Sequence, residues 1–191
     1  VSAEKQIEKE YFTGGFAIGC QAYTFNRFSA FEAIEKCAQA KGKTIEFFPG
    51  QKLSQEEPGI RVDHNAGEEV IAKLQKKLAE HHIKAVNYGV VAVPKEETEA
   101  RKIFDFAKKM GLRAITTESV ESIDTIEKLV QEYDIAVGYH NHPRRADNPN
   151  YKVWDPKFVR DLVKKRDRRI GAAVDTGQWL RAELNPVQSW K

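Results

Sequence analysis

The chain has 191 residues, 41% hydrophobic and 31% charged, enough for one sizeable core and ordinary for a globular protein. Its 31 basic and 28 acidic residues leave a net charge of only +3, which gives no electrostatic case for nucleic acid or an anionic membrane surface. No apolar run approaches the roughly 18 residues of a membrane span, no signal-peptide core is visible, and Cys20 and Cys37 make neither a disulfide framework nor a zinc cluster.

Residues 1–15 read as a polar arm or short helix ended by Thr13-Gly14-Gly15, and residues 16–191 as one domain. The sequence opens on Val1 instead of Met, so a preceding segment is expected, and cytoplasm and periplasm both fit. Residues 16–21 (FAIGCQ) form the first expected strand. Ser29, with Glu32 three residues on, is a capping box for a helix closed by Gly42. The second strand is 44–48, followed by a long polar loop over 51–66. Val70, Ile71, Leu74 and Leu78 recur at helical spacing within 68–82. A third strand is expected at 83–91, a helix from Pro94 to Met110, and a fourth strand at 113–117. A helix over 122–133 leads to a fifth strand, 135–139, and a loop over 141–154. Asp155-Pro156 reads as an N-cap with proline at N1. The sixth strand is 169–174, with a turn and a helix after Gly177.

With no strand following a strand, this alternation predicts a parallel sheet with right-handed crossovers. A Rossmann fold or P-loop needs a glycine-rich turn after the first strand, and residues 21–27 contain no glycine. The expectation is an α/β protein, a parallel (β/α)8 TIM barrel. A complete barrel takes about 250 residues, so about six strand–helix units are present and the C-terminal part is expected to be missing.

Barrel chemistry sits where the strands end. That rim reads Gln21 and Tyr23, Glu46, Tyr88, Glu118, His140 and His142, then Asp175 and Gln178. Imidazole with carboxylate suits a divalent ion such as Mn, Mg, Co, Zn or Fe(II). The consecutive His140-Asn141-His142 ends a parallel strand, which separates it from an HNH nuclease motif, whose residues are spread over a ββα unit.

On these residues the chain resembles the sugar phosphate isomerase/epimerase family, the xylose isomerase-like barrels. The motifs are AIGCQAYTF, IEFFPGQ, VNYGVV, GYHNHP and RIGAAVDTGQW; the pairing of HNHP with a following DTG is the most specific of them. The resemblance is strongest to the branch with His-x-His at the fifth strand, which includes enzymes acting on 3-keto-sugars. It implies a divalent metal held at the last four strand ends, here by His140 and Asp175, with the seventh- and eighth-strand ligands beyond Lys191. His140 stands where most relatives have Glu, and Gln178 where many read the histidine of DTGH.

The resulting expectation is a metal-dependent sugar isomerase or epimerase that moves a proton next to a sugar carbonyl through an enediolate. His142 and Glu118 would be acid and base, and Tyr23, Glu46, Tyr88 and Gln178 would meet the sugar or keto-sugar. A 3-keto-sugar lyase or hydratase and a non-catalytic sugar-binding barrel are the alternatives. An endonuclease IV-like phosphodiesterase is disfavoured, because the second and third strand ends carry no histidine.

Overall fold

The computed structural model describes residues 7–190; residues 1–6 of the expected arm lie outside them. Six strands form one parallel sheet: β1 (Gly19–Gln21), β2 (Thr44–Phe47), β5 (Lys84–Tyr88), β6 (Ala114–Thr117), β7 (Ala136–His140) and β8 (Ile170–Ala173). Their order across the sheet, β1-β2-β5-β6-β7-β8, follows the chain, and every pairing is parallel. A doubly wound sheet reverses its strand order at a switch point, whereas a barrel wall never does. The order therefore fits the barrel.

Helices cross between the strands as the periodicity predicts: α1 (Ala30–Gln39), α2 (Glu68–Glu80), α3 (Glu97–Lys109), α4 (Ile123–Tyr133) and α5 (Pro156–Val163). The Ser29–Glu32 capping box forms in full, and Asp155 caps α5 ahead of Pro156. For α3 the start moves: Glu96 accepts from the amides of Thr98 and Glu99, so this side chain, not Pro94, opens the helix. At the end of α1 the left-handed residue is Lys41 (φ 64°), while Gly42 donates its amide to the Cys37 carbonyl. The main core lies between the helices and the outer face of the sheet, with Ile34, Phe47, Leu74, Phe104, Ile126 and Val137 fully buried.

Three more expectations change. The first strand is shorter than 16–21, because Phe16 and Ile18 are 72% and 51% exposed and Phe16 instead bridges Thr13. The 51–66 loop contains a small antiparallel ladder, β3 (Gln51–Lys52) with β4 (Arg61–Val62), so one strand does follow another. Finally, Gly177 does not open a turn: α6 (Thr176–Arg181) begins directly after Asp175, and a short α7 (Pro186–Trp190) follows. Among the described residues no helix is long and apolar enough to cross a membrane.

Candidate active site at the strand ends

Side chains alternate along a strand, so every second residue of the sheet turns away from the helices. At the C-terminal ends those residues are Gln21 of β1, Glu46 of β2, Asn87 of β5, Thr116 of β6 and His140 of β7. Together with Asp175 and Thr176, just past β8, they line one cavity of about 410 Å³. Oxygen- and nitrogen-bearing groups from six successive strands therefore face a common space, and no lysine or arginine is among its lining residues.

Glu46 is held by neutral donors. Thr116 Oγ1 donates to its Oε1 at 2.6 Å, and Gln21 Nε2 approaches the same oxygen at 3.5 Å. Burial pushes the Glu46 carboxyl up from its ordinary value, and the bonds from Thr116, Gln21 and Asn87 offset only part of that rise. His140 is also largely enclosed. Burial and then the neighbouring His142 push it down, against the upward pull of Asp175 and Glu118. A neutral imidazole is the form that binds metals.

Asn141, between the two histidines, faces the other way and is 4% exposed. Its Nδ2 donates to the Asp175 carbonyl and its Oδ1 accepts from the Asp175 amide, both at 2.8 Å. This amide side chain thus ties the end of β7 to the residue that leaves β8. Asp175 itself caps α6, its Oδ1 accepting from the Gln178 amide at 2.9 Å.

Glu118 and His142 do meet, the carboxylate Oε1 contacting imidazole Nδ1. Two residues of the 141–154 loop complete the cluster. Tyr151 donates its hydroxyl to Glu118 Oε1 at 2.7 Å and accepts from the His142 amide at 3.0 Å. Arg145 donates to Glu118 Oε2 at 2.7 Å and stacks over the Tyr151 ring with its guanidinium carbon 4.0 Å from the centroid. Burial raises the Glu118 carboxyl, but the bonds from His142 and Tyr151 and the charges of His142 and Arg145 outweigh it, leaving the group below its ordinary value. The His142 ring meets the His140 ring edge-on, with centroids 4.7 Å apart.

The structure therefore brings Glu46, His140 and Asp175 to one cavity, with the Glu118–His142 pair joined to it through the contact of His142 with His140. It places Tyr88 elsewhere. That side chain is fully buried on the helix side, 4.9 Å from the Phe106 ring, and its hydroxyl meets His64 Nδ1 at 3.2 Å. The neighbouring Asn87 takes the interior position instead. Tyr23 is exposed on the rim, edge-on to Phe48 at 5.1 Å. Gln178 lies in the first turn of α6, outside the cavity lining. Asn87, Thr116, Asn141, Arg145 and Tyr151 are the site residues that strand-end reading passes over; strict alternation onward from His140 would have found Asn141 on the outer face.

Three side chains of metal-donor chemistry line this cavity, Glu46, His140 and Asp175, and of these Glu46 is engaged by Thr116 and Gln21. Among the described residues no group of three or more His, Cys, Asp or Glu side chains is arranged to hold a metal ion. The donor set present is partial.

No protein-family model matches the chain, and no curated protein does. Solved structures do. One is an uncharacterised protein from Parabacteroides distasonis ATCC 8503, at 27% identity over 90% of this chain and 68% of that one, with a TM-score of 0.74. A second is a D-tagatose 3-epimerase-like protein, at 14% identity over 88% and 67%, with a TM-score of 0.62. A third is a xylose isomerase-like TIM barrel protein from Mycobacterium smegmatis in complex with magnesium, at 11% identity over 91% and 70%, with a TM-score of 0.65. The chain spans about two thirds of the length of these structures. Its fold is that of the xylose isomerase-like TIM barrels, of which it carries six strand–helix units.

Proposed function

We propose, from the fold shared with xylose isomerase-like barrels, that this chain forms part of the active site of a divalent-metal-dependent sugar isomerase or epimerase. A fold hosts many activities, so the reading must rest on the site. The observation that carries it is the single cavity lined by Gln21, Glu46, Asn87, Thr116, His140 and Asp175. Amide, hydroxyl and carboxyl groups at successive strand ends match a small molecule that presents a hydroxyl or carbonyl on every carbon. The D-tagatose 3-epimerase-like neighbour supports a ketose, and the neighbour in complex with magnesium supports a divalent ion.

In this reading His140 and Asp175 contribute two ligands, and the bound metal supplies Lewis-acid polarisation of the carbonyl next to the reacting carbon. The protein does the rest. Gln21, Asn87 and Thr116 orient hydroxyls. Glu118, fixed by Tyr151 and Arg145, holds His142 through Nδ1, which leaves Nε2 as the imidazole nitrogen available for proton transfer. Removing a proton beside the carbonyl begins epimerisation, isomerisation and the loss of water alike; the product distinguishes them.

The test is metal analysis and keto-sugar turnover of the complete protein, with His140→Ala and Asp175→Ala beside the wild type. Near-stoichiometric metal that falls in both variants, together with turnover, supports the reading. Equal metal in all three proteins would reject the two ligands.

A further inference from the structure

We propose that Glu46 is a second proton-transfer group of this site, a catalytic residue that reaches the reacting carbon from the β2 side of the cavity. The inference rests on the proton-transfer reading above and extends it from one acid–base group to two. Inverting a carbon beside a carbonyl takes a proton off one face and returns one to the other, which calls for groups on two sides of the substrate.

Glu46 is placed for this. It stands at the end of β2, whereas His140 and His142 stand at and just beyond the end of β7, with β5 and β6 between them in the sheet. Glu46 and His140 nevertheless line the same cavity, so they approach its contents from different sides. The titratable groups that share this cavity with Glu46 are His140 and Asp175, and no cationic side chain neutralises it there.

The partners of Glu46 also separate it from a structural ion pair. Its bonds come from neutral groups, the Thr116 hydroxyl and the amides of Gln21 and Asn87, which fix the carboxyl without committing it to the ionised form. Glu118 is the contrast, since both of its oxygens meet charged or strongly donating groups from His142, Tyr151 and Arg145. A carboxyl that burial pushes upward, as at Glu46, can hold and release a proton nearer to working pH. The step balances: the Glu46 carboxylate takes the proton from the carbon beside the carbonyl, the C–H pair becomes the enediolate double bond as the carbonyl π pair moves onto oxygen, and a proton returned from His142 to the other face restores the carbonyl, after which proton exchange with solvent resets both groups.

The experiment measures exchange of the substrate C–H with solvent deuterium in the full chain, with D-tagatose, D-fructose and 3-keto-glucose as probes. Glu46→Gln, which preserves the acceptor for Thr116, should slow exchange by about 10²–10⁴-fold while sugar binding persists. In Glu46→Ala, added formate should restore part of the exchange, a recovery that a purely structural role does not give. Exchange in Glu46→Gln within about tenfold of wild type would overturn the role of Glu46 and leave the proposed function standing. Loss of exchange with equally weakened sugar binding and no formate recovery would overturn it too, making Glu46 a binding group. A wild type that exchanges none of the probes would remove the proposed function, and this role with it.

Discussion

Asn141→Ala offers the sharpest test of how the site is held. In the wild type this side chain makes two bonds of 2.8 Å, one to the Asp175 amide and one to its carbonyl. The carbonyl keeps a second partner, the Trp179 amide at 3.2 Å, so its loss is an ordinary one of about 1 kcal/mol. For the Asp175 amide the Asn141 oxygen is the bond that satisfies it, and leaving a buried donor without a partner costs about 1–3 kcal/mol. The expected destabilisation is about 2–4 kcal/mol, which for a chain of this size lowers Tm by about 5–15 °C. Urea unfolding should show the midpoint falling with an unchanged slope. Asn141→Asp refines the test. Its ionised carboxylate turns a second acceptor toward the Asp175 carbonyl, so the variant should regain stability as pH falls and the acid can donate. A loss below about 0.5 kcal/mol in Asn141→Ala, the range of an inert surface change, would refute the brace between β7 and β8.

Three further outcomes follow from the same contacts. Glu118→Gln should be less stable than wild type near neutrality; because the folded carboxyl is held below its ordinary value, the stabilisation is present above the unfolded value of about 4.3 and disappears as pH falls through the folded one, so the two unfolding curves should converge in acid. Glu46→Gln should show the opposite slope: a raised carboxyl makes ionisation unfavourable in the folded state, so wild type loses stability relative to the variant as pH rises from about 4.3 through the folded value, and matched denaturation series would read this directly. Gly89→Ala should lower the yield of folded protein and its Tm, since a Cβ there would lie 2.0 Å from Thr116 Oγ1 and 2.4 Å from its carbonyl oxygen; overpacking of this kind costs about 1–3 kcal/mol or more, and near-wild-type stability would show that β5 can move away from Thr116.

Much of the scaffold is legible in the residues because buried parallel strands and amphipathic helices write different periods into a sequence. The apolar leads into His140 and Asp175, the Ser29–Glu32 box and the Asp155-Pro156 start all describe local physics, and the structure follows them. The failures are of another kind. β3 and β4 are two residues each, too short for any period to register. Phe16 and Ile18 are apolar but exposed, and composition cannot tell such residues from a strand. Choosing Tyr88 over Asn87 required knowing which face of β5 turns inward, and the register slips at Ile45/Glu46, where β2 pairs with β5. The Glu118 cluster was half visible. Its partners Arg145 and Tyr151 lie 27 and 33 residues downstream, on a loop whose course no periodic pattern specifies.

What the two glutamates share and where they differ is the clearest guide to the chemistry. Both lie at strand ends and both are withdrawn from water, so burial alone would raise each of them. Their donors decide the outcome. Glu118 receives an imidazole, a phenol and a guanidinium, and is held as an anion; Glu46 receives a hydroxyl and two amides, and is not. Carboxyl groups whose surroundings drive them apart in this way can take different tasks within one site. An anion locked by three donors is suited to holding His142 in place, and a carboxyl set among neutral partners is suited to exchanging a proton with what the cavity contains.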